Sequence, residues 1–279
     1  MERAGGQPID YWRVSHELAP FVSGYHRYRV PVPPGMTMRD VLFPSWVTIR
    51  IAMPGSEAWS LRLGSRRFDP VPQAALTGPT SYAGYVETRG GTLVGAGILP
   101  HGWAAIFGGD VSRIANRVVP LSSLDPDAAS LEAAIGAGER PDLALEAWLG
   151  ARIGRYVPDP RIARIFAMLD DPAVSRIETV AEALAMPQRV LAEFTRMHFG
   201  FTPKLLLRRG RFLRALSAVL THPEQGPSAL SAAGYWDRSH FLRDSHAFLG
   251  CSVRDFVKRR GPLNQVAMNV RAEVIGSPV

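Results

Sequence analysis

"GYWDRSHFLRDSHAFLG", Gly234 to Gly250, places two arginines, two histidines and four aromatics within seventeen residues. Wound as a helix at 100° per residue, the stretch separates into two faces. Phe241, Ser245 and Phe248 fall on one side, and Arg238, Ser239, Leu242, Arg243 and His246 on the other. Asp237 stands where an N-cap is needed, and Gly234 suits a turn that requires positive φ. The predicted unit is a short alanine-rich helix, a tight turn and a second, longer helix.

The same unit recurs fifty residues upstream, in "LAMPQRVLAEFTRMHFG", 184–200. In that register Leu191 lies on Phe241, Thr195 on Ser245, Phe199 on Leu249, Gly200 on Gly250 and Thr202 on Ser252. The preceding helices pair with Ala183 on Ala233, and Pro187 falls in the first turn of the second helix. A whole helix, turn, helix and glycine in register argues for duplication. In the upstream helix Leu191, Phe194 and Thr195 are expected to face inward, with Gln188, Arg189, Ala192, Glu193 and Arg196 outward. Arginine can bond guanine O6 and N7 together, and Ser and Gln can bond base edges, so these outward faces suit the major groove of duplex DNA. The alternative for either helix alone is an ordinary amphipathic helix with a charged wet face.

Charge supports the first reading. The 279-residue chain has a formal net charge of +7. Residues 159–262 hold 16 Lys+Arg against 10 Asp+Glu, or +6, and the remainder 16 against 15, or +1. A basic segment beside a neutral remainder points to a polyanion partner for that segment. Between the two units lies "TPKLLLRRGRFLRALSAVL", Thr202 to Leu220. Its nineteen residues, wound as one helix, would span roughly 28 Å. That could set two reading helices about one DNA turn, roughly 34 Å, apart. Arg238, Ser239, Leu242 and Arg243 are the expected base readers of one unit, and Gln188, Arg189 and Arg196 of the other. Lys204, Arg208, Arg209 and Arg211 are the expected phosphate contacts.

The segment from about Pro158 to Arg260 resembles the DNA-binding domain of the AraC/XylS family of bacterial transcription regulators. Gly234, Tyr235, Asp237, Ser239, His240, Phe241, Arg243, Gly250 and Phe256 match the family's second-unit signature. Ala181, Leu191, Phe194, Arg196, Gly200 and Pro203 match its first unit, and "RFLRAL" (211–216) is similar to its linker helix. The resemblance implies a cytoplasmic, nucleoid-associated regulator of transcription, with RNA polymerase as a further partner. Three positions depart from the pattern. Thr195 and Ser245 stand where the family usually has a core phenylalanine, and Val253 where it has proline. Unrepaired, each lost aromatic would cost up to about 3 kcal/mol, with Phe194 or Phe248 at hand to fill the space. Ala192 and Glu193 suit base donation less well than the Gln/Arg pairs common in relatives, so the first unit is expected mainly to position the protein.

Residues 1–124 read as a β-rich sheet or barrel: "WVTIRIA" (46–52), "WSLRL" (59–63) and "TLVGAGIL" (92–99) cluster or alternate apolar residues between Pro and Gly turns. "GWAAIFGGDVSRIANRVVPL" (102–121) reads as short helices that close this domain and, with the strand before it, resembles the less characterised N-terminal domain often joined to such regulators. Residues 125–157 have helical spacing and read as a connector that could pair two chains into a homodimer. Residues 263–279 are expected to be a disordered tail. The fold class expected is thus α+β multidomain, with a β-rich first half, a helical connector and an all-α region of two helix-turn-helix units. Trp46, Trp59, Tyr82, Tyr85 and Trp103 are the aromatics expected to line a pocket for a small-molecule effector, though more of them should be plain core.

Other chemistries find little support. His16, His26 and His101 lack metal-ligand spacing, and the lone Cys251 gives no disulfide framework. Ser15-His16-Glu17 are chain neighbours, which supplies no triad geometry. Gly95-Ala96-Gly97 runs into Ile98-Leu99-Pro100 rather than a helix start, so no phosphate loop is expected. No cofactor, catalytic set or membrane span is expected. Two alternatives stay open: a regulator that has lost DNA binding and acts by protein contact, and an enzyme in the N-terminal half.

Overall fold

The computed structural model describes residues 8–138, 140–222, 224, 226–261 and 263–268. The first half is built from β1 (Ile9–Trp12), β2 (Val22–Val30), β3 (Met38–Leu42), β4 (Val47–Ala52), β5 (Trp59–Leu63), β6 (Arg66–Phe68), β7 (Ala74–Thr77), β8 (Gly84–Thr88), β9 (Gly91–Ile98) and, after helix α1 (Pro100–Ile106) and a 3-10 turn at Val111–Ile114, β10 (Val118–Pro120). These make two antiparallel sheets, a six-stranded one in the order β1-β2-β9-β4-β7-β10 and a four-stranded one in the order β3-β8-β5-β6. The three apolar runs quoted from the sequence become β4, β5 and β9. The expected closing helices at 102–121 appear in part: "VVP" forms a strand instead, because Val118 to Pro120 pair with Ala75 to Thr77 along an open edge.

Strand alternation divides the core. Val47, Ile49 and Ile51 of β4 and Val94, Ala96 and Ile98 of β9 pack on one face of the large sheet with Trp103 of α1. The same cluster includes α2 (Ala128–Ala137) and α3 (Pro141–Gly150), through Leu131, Ile135, Leu145, Trp148 and Leu149. The helices at 125–157 are therefore built into the β half and do not bridge freely between halves. A buried ion network pins them: Arg152 donates to Asp125 at 2.8 Å and to Asp127 at 2.7 Å, and Arg155 donates to Asp125 at 2.6 Å. Between the sheets, Trp59, Leu61, Leu63 and Val86 meet Ala75 and Val118.

The second half is helical: α4 (Pro160–Asp170), α5 (Ile177–Ala183), α6 (Gln188–Phe199), α7 (Pro203–Thr221), α8 (Gly226–Ala232), α9 (Arg238–Leu249) and α10 (Val253–Arg259). Asp159, Thr202, Asp237 and Ser252 cap α4, α7, α9 and α10 with their side-chain oxygens, each satisfying a backbone N–H the helix leaves open. The tail expected to be disordered from residue 263 is ordered over its described part. Residues 263–268 are helical, and Asp40 of β3 holds them by accepting from the Gly261 and Asn264 N–H groups. The Asn264 side chain donates back to the Val41 carbonyl at 2.7 Å. Residues 269–279 lie outside the described residues. Among the described residues, no helix is long and apolar enough to cross a membrane.

Candidate nucleic-acid interface

The two predicted units are present: α5 with α6, and α8 with α9, joined by the nineteen-residue α7. Each longer helix ends on a glycine in the left-handed conformation, Gly200 at φ 84° and Gly250 at φ 73°, where a side chain would be strained. Gly200 has a second constraint, since a Cβ there would sit 2.6 Å from Pro79 of the β half.

The register of the duplication needs one correction. The turn residue with positive φ is Ala185 in the first unit and Gly234 in the second, an offset of 49 rather than 50. Met186 N–H donates to Ala181 O, and Tyr235 N–H to Leu230 O, with the same offset. The first helices therefore superpose at 49 and the second helices at 50. The second unit holds one more residue between its turn and α9, in the stretch that carries the fully exposed Trp236. Side-chain matching across the longer helices could not register this slip. Pro187 is likewise the N-cap of α6 and does not lie in its first turn.

The faces match the sequence reading. Leu191 and Thr195 of α6, and Phe241, Ser245 and Phe248 of α9, are buried, while Phe194 is half-buried beneath the Arg161 guanidinium. Gln188, Arg189, Glu193 and Arg196 are exposed, as are Arg238, Ser239, Leu242, Arg243 and His246. Arg189 reaches Glu193 at 3.8 Å, and Gln188 reaches Glu178 at 3.4 Å. The α6 face is thus partly neutralised by its own acids, whereas no ion pair ties down Arg238 or Arg243 among the described residues. Burial lowers the pKa of His198, in the last turn of α6.

The two hydroxyls in the phenylalanine slots do not leave holes. Ser245 is fully buried and donates to the Cys251 carbonyl at 2.7 Å, tying α9 to the cap of α10. Phe248 stacks on Phe212 of α7 at 5.2 Å, and Phe212 meets Phe241 at 5.6 Å. Thr195 is fully buried as well and bonds back to the Ala192 carbonyl at 3.3 Å. Trp46 of the β half comes against Phe199 and Phe166 and closes the first unit's core from outside.

The four expected phosphate contacts separate. Lys204 is exposed. Arg208 and Arg211 are half-buried and face Asp244 of α9 at 2.6 and 3.4 Å. Asp244 is 1% exposed and also accepts from the Tyr235 hydroxyl at 2.7 Å. Arg209 cannot touch a phosphate: it is buried, donates to the Thr80 carbonyl at 2.8 Å and lies 4.1 Å over the Trp46 ring. Burial brings its pKa down to about 10. Its carbonyl partner lies 129 residues away in sequence and its indole partner farther still, so nothing local distinguishes it from Arg208. The reading from sequence passed over α10, where Arg254, Lys258 and Arg259 are exposed. The run Lys258-Arg259-Arg260 was the available signal.

The five aromatics assigned to an effector pocket do not converge. Trp59 packs between the sheets, and Tyr82 is exposed. Tyr85 donates to the Leu249 carbonyl at the end of α9, at 2.6 Å. Trp46 and Trp103 share a narrow crevice with His198 and Phe199. Trp46, Trp59, Tyr85 and Trp103 serve core and contact between the halves, because each finds an apolar or carbonyl partner in the fold.

Residues 180–259, which span both units, match the family model described as a helix-turn-helix domain. This segment is an AraC-type helix-turn-helix domain. It is the DNA-binding part of a transcription regulator. No curated protein sequence matches the chain. Among solved structures the chain is similar to ToxT from Vibrio cholerae. An apo point variant of ToxT from strain SCE256 has 9% identity and a TM-score of 0.47, with 85% of this chain and 98% of that one covered. A second ToxT structure has 9% identity and a TM-score of 0.48, covering 81% and 99%. Unsaturated fatty acid-bound wild-type ToxT of strain SCE256 has 10% identity and a TM-score of 0.47, covering 85% and 95%.

Proposed function

We propose that this regulator reads two successive major-groove segments of one duplex, α9 supplying most of the sequence discrimination and α6 mainly positioning. The observation that carries this is the exposed pair Arg238 and Arg243, without an ion pair among the described residues, on a helix whose opposite face is locked to α7. The α6 face, by contrast, spends Arg189 and Gln188 on Glu193 and Glu178. Ser239 and Leu242 lie beside the α9 arginines, Leu242 suited to a thymine methyl. Lys204 and the exposed α10 cations would contact phosphates, joined by whichever of Arg208 and Arg211 can leave Asp244. The chain works by binding, not catalysis, in the cytoplasm at the nucleoid, with RNA polymerase as a further partner. The β half takes a small effector. If two chains pair through α2 and α3, they must use outer positions such as the exposed Leu143, since the inner faces belong to the core.

The test is selection of bound sequences from random duplex by the full chain, then titration of the selected site. Arg238→Ala with Arg243→Ala should weaken that site by more than about 2 kcal/mol while leaving non-specific binding nearly intact. Unchanged affinity for the selected site would assign the reading to another helix. Binding indifferent to salt would instead favour a regulator acting through protein contact, since phosphate contacts impose a steep salt slope.

A further inference from the structure

The second reader opens on a tryptophan that the fold does not use. Trp236 is 95% exposed, and its side chain makes no hydrogen bond or ring contact among the described residues. The other five tryptophans are packed: Trp12, Trp103 and Trp148 in or against the core of the large sheet, Trp46 against Phe199, and Trp59 between the sheets. The first unit has no counterpart to Trp236. There, Met186 is buried directly after the turn, and Pro187 is already the N-cap of α6. In the second unit Tyr235 takes the place of Met186, Asp237 that of Pro187, and the extra residue between them is Trp236.

Local geometry turns the indole outward. Tyr235 is pinned inward: its hydroxyl donates to Asp244 at 2.7 Å, the Arg211 guanidinium lies 4.9 Å over its ring, and Phe241 meets it edge-on at 5.2 Å. Asp237 has extended backbone, φ −147° and ψ 162°, and its carboxylate accepts from the His240 N–H at 2.6 Å. Neighbouring side chains of an extended segment take opposite sides, so Trp236 stands out from the unit between two anchored residues. The N-terminal end of a reading helix is the part that approaches base edges in the major groove. A phosphate is poorly suited to this spot, because the Asp237 carboxylate already occupies the positive end of α9. The next residues, Asp237, Arg238 and Ser239, are exposed and polar, so the ring belongs to no apolar patch of the size a protein interface needs. On the major-groove floor the apolar group is the thymine methyl.

We propose that Trp236 determines specificity, its ring packing on the methyl group of one thymine at the edge of the segment that α9 reads. This rests on the reading that α9 enters the major groove. It adds the choice of a base that Arg238 and Arg243, suited to guanine, do not make.

The experiment uses the full chain on the duplex it selects. Replacing each thymine of that site in turn by deoxyuridine removes one methyl and nothing else. At one position the change should weaken binding by the parent about fourfold, the worth of one buried carbon, and leave binding by Trp236→Ala unaltered. Trp236→Ala should itself bind the selected site about tenfold more weakly. Its Tm and its affinity for unrelated duplex should match the parent's, because the ring is exposed in the free chain. The emission of the parent minus that of Trp236→Phe isolates this indole, and acrylamide should quench it less in the complex than in the free chain. If no deoxyuridine position separates the parent from Trp236→Ala, or if the indole stays as quenchable when bound, the assignment is wrong. Should Arg238→Ala with Arg243→Ala leave the selected site unaffected, the reading by α9 falls and this contact with it. Loss there, with Trp236→Ala binding like the parent, overturns this contact alone.

Discussion

Asp244→Ala is expected to be the most damaging single change in the second unit away from its apolar core. The carboxylate is 1% exposed and joins three partners on two elements: Arg208 and Arg211 of α7, and Tyr235 at the turn before α9. Removing one partner of a buried ion pair costs about 3–5 kcal/mol. Here the arginines keep 38% and 27% exposure and can recover water, which discounts their share. The Tyr235 hydroxyl, on a residue only 4% exposed, is left without its acceptor at about 1–3 kcal/mol. A total of about 3 kcal/mol follows. Tyr235→Phe removes the hydroxyl alone and leaves Asp244 its two guanidiniums, so it should cost about 1 kcal/mol. Because the Tyr235–Asp244 bond is lost in both, the double variant should fall short of the sum by about 1 kcal/mol. Urea unfolding of the full chain, followed by the helical circular dichroism signal, measures all three. If Asp244→Ala costs no more than Tyr235→Phe, the guanidiniums contribute nothing and the proposed tie between α7 and α9 is wrong.

Other expectations follow from the same contacts. Arg209→Met should leave the salt slope of DNA binding unchanged, whereas Lys204→Ala should lower it by about 1; a lowered slope for Arg209→Met would return that residue to the DNA surface. Ser245→Ala should cost about 1–2 kcal/mol by leaving the Cys251 carbonyl unpaired, and Ser245→Phe should cost at least as much, because Phe248 and Phe212 already occupy the space; a Tm gain in the phenylalanine variant would refute that packing. At Asp125, burial raises the pKa, but the bonds from Arg152, the Asp127 N–H and Arg155 prevail and hold the carboxyl below its usual range. Its contribution to stability is then complete above the unfolded carboxylate pKa, about 3.9, and disappears as pH falls through the lower folded value. Asp125→Asn should therefore lose about 3 kcal/mol at pH 7, and its urea midpoint should converge on the parent's below about pH 4; a gap that persists in acid would mean the charge is not the cause.

The local signals were legible from the chain itself. Caps at Thr202 and Asp237, terminal glycines at 200 and 250, and the split of α9 into wet and apolar faces all arise within a few residues of sequence. The reading failed where a partner came from far away. Arg209 looks like Arg208 until Thr80 and Trp46 are placed beside it. Helices 125–157 looked like a spacer because their apolar stripe does not say which surface it will cover, and that surface proved to be the sheet of their own half. The duplication slips by one residue because the register of the longer helices does not carry back across the turns at Ala185 and Gly234, where the second unit holds one more residue before its helix.

Each reader leans on a different part of the β half. The first rests on the end of the six-stranded sheet and α1, through Trp46, Pro79 and Ala104. The second rests on the four-stranded sheet, where Ala83 N–H and the Tyr85 hydroxyl bond the last carbonyls of α9. The molecule is therefore braced like a caliper: α7 is one arm's hinge, and the sandwich sets how far the jaws open. Helical phase on DNA becomes a property of the whole chain, so one extra base pair between the two contacted segments should be resisted by both sheets as well as by the rod that joins the readers.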